Sequence, residues 1–166
     1  HIPIKDVSNA INRDIVEQKI KALETSLIND FQIKKPKIAV LAVNPHAGDN
    51  GVIGNEDQSI ITPAINSFKG TTSSINGPFS ADTFFVNENY KKYDGIIASY
   101  HDQGLIPFKT ISFGKGVNFT AGLPVVRTSP DHGTGFDIAG KGIADHTSFT
   151  CRLYTSPSPR DRYGSR

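Results

Sequence analysis

Three observations predict an α/β protein. Short apolar runs rich in β-branched residues, at 37–43 (KIAVLAV) and 95–100 (GIIASY), are separated by segments with helical period. Those runs lack polar alternation, as strands buried on both faces do. Gly and Pro mark the boundaries between the two kinds of segment.

Residues 4–8 lead into a helical region whose main part Asn12 is placed to cap. Ile15, Ile20, Leu23, Leu27 and Phe31 recur at spacings of three to five, with Glu17, Lys21 and Glu24 outward. That is the stripe of a helix covering a sheet, and Lys34-Lys35-Pro36 ends it. After the strand at 37–43 comes a loop at 44–54 (NPHAGDNGVIG) with three glycines and a proline. Residues 56–68 read as helix with Ile60, Ile61, Ala64, Ile65 and Phe68 inward, although Pro63 argues against an unbroken one. Residues 76–82, with Gly77-Pro78, lead into an expected strand at 83–86 (TFFV). The next strand, 95–100, ends just before His101. Further strands are expected at 117–121 and 125–127, split by Gly122-Leu123-Pro124, and a turn with a short helix at 132–140. Ligands of open α/β sheets gather beyond the carboxyl ends of strands. His46 and His101 each follow a strand, so they are candidates to converge there.

Of the 166 residues, 37% are hydrophobic and 20% charged, enough for one modest domain with a core. No apolar run approaches the ~20 residues of a membrane span, and no signal-peptide pattern opens the chain, so a cytoplasmic location is expected. The chain starts at His1 and contains no Met, which reads as a piece of a longer protein. Residues 1–150 form the expected folded part. Residues 151–166 (CRLYTSPSPRDRYGSR) carry no period and read as a foreign or disordered tail, resembling translated cloning adaptor; a basic interaction arm is the alternative. Without the tail's four arginines and one aspartate the net charge moves from +2 to −1. Nucleic-acid binding then has no compositional support. The only cysteine also lies in the tail, so residues 1–150 exclude disulfides and thiolate metal sites.

Polar groups of distinct chemistry crowd the stretch from Tyr100-His101-Asp102-Gln103-Gly104 through Lys109, Asn118 and Arg127 to Asp131-His132-Gly133-Thr134. His1, His46 and His101 are separated by 45 and 55 residues, so no local ligand motif exists. Three imidazoles suit a catalytic metal with open positions; three solvated or hydrogen-bonded loop histidines is the other reading. His132 lies in a turn suited to nucleotide contacts, and His146 reads as structural. Asp82 and Asp102 are candidate bases or groups that orient a histidine, with a turn or cap as the alternative for Asp82. Lys109 and Arg127 are suited to hold phosphate and carboxylate. Asn118, in an apolar strand, is read as a buried amide that needs a partner. The 48–54 loop lacks the Gly-Lys-Ser/Thr ending of a P-loop.

Together these residues resemble the 4-hydroxythreonine-4-phosphate dehydrogenase family of pyridoxine biosynthesis. The likeness runs from His1-Ile2-Pro3-Ile4 to about Phe149 and covers roughly the C-terminal half of the usual family protein. It is carried by Asn44-Pro45-His46-Ala47-Gly48, by Gly77-Pro78 through Ala81-Asp82-Thr83, and by Tyr100-His101-Asp102-Gln103-Gly104. Phe113-Gly114-Lys115-Gly116-Val117-Asn118 and Gly122-Leu123-Pro124 through Arg127-Thr128-Ser129 add to it. Asp131-His132-Gly133-Thr134, followed by Asp137-Ile138-Ala139-Gly140-Lys141-Gly142, is similar to the adenine-side loop of isocitrate and isopropylmalate dehydrogenases.

The resemblance implies that group's fold, a three-layer αβα arrangement present here as a fragment, with the family's terminal helix after Phe149 lost. It implies His1, His46 and His101 as metal ligands, zinc foremost with magnesium or cobalt as alternatives. Asp82, Asp102 and Lys109 become catalytic candidates, and Lys109, Asn118 and Arg127 substrate-binding ones. His132, Gly133, Thr134 and Asp137 would contact NAD, or NADP. The implied protein is a homodimer with its active site at the subunit interface and a small phosphorylated hydroxy acid as substrate. The implied reaction is oxidation of a secondary alcohol β to a carboxylate, with hydride passing to the nicotinamide, then decarboxylation. Rivals are a related dehydrogenase acting on erythronate or threonate 4-phosphate or on a non-phosphorylated diol, and an inactive binding module.

Overall fold

The computed structural model describes residues 1–131 and 135–155, the last two by backbone alone. The chain divides into two compact units, His1–Leu105 and Ile106–Arg166.

The first unit opens with a 3-10 turn and a short helix α1 (Val7–Ala10), followed by α2 (Arg13–Asn29). Asn12 caps α2 as expected: its side-chain oxygen accepts from the Ile15 N–H at 2.9 Å. The buried face, however, is Val16, Ile20, Glu24 and Leu27. Ile15 and Phe31 stay 41% and 44% exposed, and Glu24, expected outward, is buried. The true stripe starts one residue later than the expected one. Glu24 tolerates burial because Lys21 Nζ, itself in solvent, donates to its carboxylate at 2.9 Å. Burial alone would raise the Glu24 carboxyl; the nearby Ser73 hydroxyl and the Lys21 ammonium outweigh it and hold the group below its ordinary value.

Strand β1 (Lys37–Leu41) follows and is buried on both faces, as its composition predicts. The expected helix at 56–68 is broken. A wide π turn at Asp57–Ile61 precedes α3 (Thr62–Asn66), with Pro63 in the first turn of α3. Proline has no N–H to give an α-helical ladder. The wide turn is closed instead by the Thr62 N–H and hydroxyl, both directed to the Asp57 carbonyl.

The second strand is not 83–86. It is β2 (Ser74–Phe79), and the Thr-Phe-Phe-Val segment enters helix α4 (Ala81–Phe84) and a following 3-10 stretch. Ser-Ile-Asn-Gly-Pro-Phe reads as a turn because of Gly77-Pro78. Parallel pairing with β1 absorbs that pair as a register shift: Ala39 faces Asn76, while Leu41 faces Phe79. Gly77, at φ 141°, lies so close to the Val40 carbonyl that no side chain fits. Strand β3 (Gly95–Ile97) pairs with the other edge of β1, giving a parallel sheet of order β2-β1-β3. It is half-buried and shorter than the run 95–100 suggested.

Side chains alternate across β1. Val40 packs with Val16, Ile20, Ile61, Ala64 and Ile65 on the face covered by α2 and α3. Ala39 and Leu41 pack with Phe84 on the other face, beside Phe79, Phe85, Tyr90 and Tyr93. The aromatic rings there sit 5.2–6.1 Å apart in tilted and edge-on contacts. This cluster explains why Thr-Phe-Phe-Val is helical: a short helix turns Phe84 onto the sheet, where strand geometry would split the two phenylalanines between opposite faces.

Helix α5 (His101–Ser112) was not expected; His101 is its first residue. The second unit holds β4 (Val117–Phe119) and β5 (Thr128–Pro130), an antiparallel pair that sets Asn118 opposite Ser129. The expected strand at 125–127 is thus displaced by three residues. A 3-10 turn at Phe136–Ile138 and helix α6 (Thr147–Thr155) complete the description. Helix α6 continues to Thr155, into the segment read as a tail. Among the described residues no helix is long and apolar enough to cross a membrane.

Candidate functional site

The site is built at the carboxyl end of β1, from two turns that leave the sheet there. The first carries His46. From His46 to Asn50 the backbone is left-handed, with φ between 42° and 82°. Four of these five residues are not glycine, and each such conformation costs roughly 1–2 kcal/mol. Side-chain clamps from the following turn hold the segment. Asp57, 1% exposed, accepts from the Val43 N–H at 2.7 Å and the Asn44 N–H at 3.0 Å. Glu56 accepts from the Asn44 amide at 2.8 Å. Gly48 is required inside the turn, since a Cβ there would lie 2.6 Å from the Gly54 carbonyl.

His46 is exposed, and so is Asp82 at the start of α4. Asp82 accepts from the Ser80 hydroxyl at 2.7 Å and from the Thr83 N–H at 3.0 Å. The Ser80 bond holds its carboxyl below the ordinary value; burial opposes it, and the Thr83 N–H and the nearby His46 ring add to the lowering. Asp82 thus lies in the first turn of α4 with its carboxylate engaged locally, within electrostatic reach of His46.

The second turn carries His101. Its Nδ1 lies 2.8 Å from Asp102 Oδ1. A carboxylate oxygen accepts, so Nδ1 is the donor, which in the neutral ring directs the lone pair to Nε2. The His1 ring is 4.8 Å away, centroid to centroid, tilted by 52°. Two adjacent imidazoles, one of them aligned by a carboxylate, are the donor type that zinc or cobalt(II) takes, so this pair fits the expected metal. His46 is not gathered with them: among the described residues no group of three or more His, Cys, Asp or Glu is disposed to hold a metal ion.

The start of α5 is itself anchored. Gln103 Nε2 donates to the Ala42 carbonyl at 2.7 Å, its Oε1 accepts from the Ser99 N–H at 2.7 Å, and the Ser99 hydroxyl donates to the Leu41 carbonyl at 3.2 Å. Gln103 and Asp57 were given no role from sequence. A buried carboxylate soon after a Gly-rich loop, and a glutamine two residues after a candidate ligand, were the available signals.

The remaining candidates lie in the second unit. Lys109 pairs with Asp131 at 3.7 Å while its side chain stays 54% exposed. Arg127 donates to the Thr120 hydroxyl at 2.8 Å. Asn118 is exposed, which corrects the expectation of a buried amide; the antiparallel pair leaves its face uncovered. Asp137 sits exposed in the 3-10 turn. His132, Gly133 and Thr134 lie outside the described residues. His146, read as structural, is exposed beside α6, with Nδ1 3.3 Å from the Thr150 hydroxyl.

Comparison with known proteins gives this geometry its context. A 4-hydroxythreonine-4-phosphate dehydrogenase of Sulfurihydrogenibium sp. is 52% identical over 148 residues, covering 89% of this chain and 45% of that protein. One from Bacteroides thetaiotaomicron is 48% identical over 156 residues, covering 94% and 43%. The chain thus spans less than half the length of these curated relatives. A crystal structure of a 4-hydroxythreonine-4-phosphate dehydrogenase from Burkholderia phymatum superposes with a TM-score of 0.81 at 39% identity, covering 96% of this chain and 49% of that one. The family model for pyridoxal phosphate biosynthetic protein PdxA matches residues 1–155. With nearly its whole length matched, the chain belongs to the PdxA family.

Proposed function

We propose that these residues serve an NAD-dependent, divalent-metal-dependent dehydrogenase that oxidises and decarboxylates 4-hydroxythreonine 4-phosphate in pyridoxal phosphate biosynthesis. The relatives' names supply the substrate. The observation that carries the reading is the pair of adjacent imidazoles, His1 and His101, with Asp102 on the second ring. Zinc or cobalt, held by these rings with His46 as third ligand, would supply Lewis acidity at the substrate hydroxyl.

Each side chain then has a definable task. Asp102 keeps His101 in one tautomer and orientation. Asp82, its carboxyl held below the ordinary value first by the Ser80 hydrogen bond, adds negative charge near His46. Lys109 and Arg127 bind the substrate's phosphate and carboxylate. For Lys109 this means exchanging an exposed pair worth about 0–1 kcal/mol for a charge-assisted bond to the substrate. Asn118 adds a neutral donor and acceptor. His132, Gly133, Thr134 and Asp137 form the nucleotide contact, with NADP as the alternative to NAD. The wider reading includes the isocitrate/isopropylmalate dehydrogenase-like fold, a homodimer and a cytoplasmic location.

The test is NADH formation and carbon dioxide release from 4-hydroxythreonine 4-phosphate, measured on this chain and on a full-length relative carrying the same residues. Erythronate and threonate 4-phosphate serve as competing substrates. His46→Ala and His101→Ala should each abolish metal-dependent turnover in the full-length protein. Unchanged turnover and metal content in both variants would overturn the proposal.

A further inference from the structure

The two turns that carry His46 and His101 are fastened to one and the same peptide unit. The Ala42 carbonyl and the Val43 N–H belong to the single amide that follows β1. Gln103 donates to its oxygen at 2.7 Å, and Asp57 accepts from its nitrogen at 2.7 Å. Gln103 lies two residues beyond His101 on α5, and its other amide atom holds Ser99 on the near side. The second oxygen of Asp57 holds the Asn44 N–H, two residues before His46, at 3.0 Å. Asp57 is 1% exposed and, among the described residues, forms no salt bridge. A buried carboxylate without a cation is costly, and two backbone donors at the foot of one turn are the return for it.

We propose that Asp57 and Gln103 are positioning residues that set the separation of His46 from His101 by gripping opposite ends of the Ala42–Val43 amide. The proposal rests on the reading of those histidines as ligands of one divalent cation, and it adds residues that touch neither the cation nor the substrate. An amide polarised at its oxygen becomes a better donor at its nitrogen, so the two grips reinforce each other. Loosening one is felt by the turn on the other side.

Two measurements test this on the whole chain. The first uses cobalt(II) alone as probe, titrated into wild type, Asp57→Asn, Gln103→Glu and the double variant, with His46→Ala and His101→Ala as controls. Asn keeps one acceptor oxygen at position 57, and Glu keeps the Ser99 contact at position 103 while losing the donor to Ala42. Each single variant should weaken binding roughly tenfold, the scale of residues that orient metal ligands. The double variant should lose less than the product of the two. The second measurement needs no metal: Asp57→Asn should shift the ring resonances of His101, and Gln103→Glu those of His46. If the histidine controls weaken binding while both positioning variants bind as wild type and shift only their own turn, the shared-amide proposal is overturned and the metal assignment stands. If the histidine controls leave binding unchanged, the metal reading fails, and the presence or absence of the crossed ring shifts still decides whether the amide couples the turns. Should Asp57→Asn not fold, Gln103→Glu at its half-buried position carries both measurements.

Discussion

Among the described residues the first unit has a buried apolar core, and the second has none. Among the described residues every buried hydrophobic side chain, from Val16 to Phe84, belongs to His1–Leu105. In the second unit Phe113 and Phe136 are 84% and 83% exposed, and Ile106, Val125 and Ile143 are also largely in solvent. That unit is tied instead by polar bridges. The Ser148 hydroxyl donates to the Gly116 carbonyl at 2.8 Å and accepts from the Asp131 N–H at 2.9 Å, joining α6 to the strand pair. The difference teaches where precision resides. Candidate ligands project from turns clamped to a packed strand, while the candidate anion-binding groups Lys109 and Arg127 stand on a unit held by a few hydrogen bonds.

The contrast can be broken most forcefully at Ile20, which is 0% exposed. Ile20→Ala should destabilise the chain by about 2–5 kcal/mol in denaturant unfolding; a loss below about 1 kcal/mol would mean the helix-to-sheet packing is not the core it is taken for. Next comes Ser148→Ala, which strands the Gly116 carbonyl and the Asp131 N–H together. It should cost about 1–3 kcal/mol, seen as faster hydrogen exchange at Asp131 with amides of β1 unaffected. Matching acceleration in both units would contradict their separate anchoring.

Glu24 gives a pH test confined to the first unit. Its folded carboxyl lies below its ordinary value of 4.5. The unfolded chain therefore takes up the proton first as pH falls. The stabilisation is fully present above about 4.5 and is lost as pH drops through the lower, folded value. Glu24→Gln should flatten that part of the stability curve, with an effect on the order of 1 kcal/mol; a curve that stays parallel to wild type would remove Glu24 from the account. The smallest change is expected at Phe113→Ala, within about 0.5 kcal/mol because the ring is already in water. A large loss there would show that the second unit's apolar surface is covered in solution.

Legibility from sequence followed the same division. Asn12 and the run KIAVLAV announced α2 and β1 because capping and continuous apolarity are local properties. β2 was hidden, since Ser-Ile-Asn-Gly-Pro-Phe has turn chemistry and becomes a strand only when β1 offers an edge. Thr-Phe-Phe-Val has strand composition but folds as helix to bring Phe84 onto the sheet. The candidate residues could be chosen by chemical type, and His101 with Asp102 proved to be in contact. Asp57 and Gln103 escaped notice, because a carboxylate or an amide gains meaning from the peptide it holds, and that peptide lies 14 and 61 residues away.

By itself the sequence determined the α/β alternation, the capped helix, the doubly buried strand and the family motifs, all of which depend on neighbours within a turn or two of chain. Only the tertiary structure decided which run joins β1 at its edge, that Glu24 goes inward, and that one amide beyond β1 is held from both sides. Those outcomes depend on groups far apart in the chain competing for the same strand edge, apolar face or backbone donor, and local propensity carries no record of that competition.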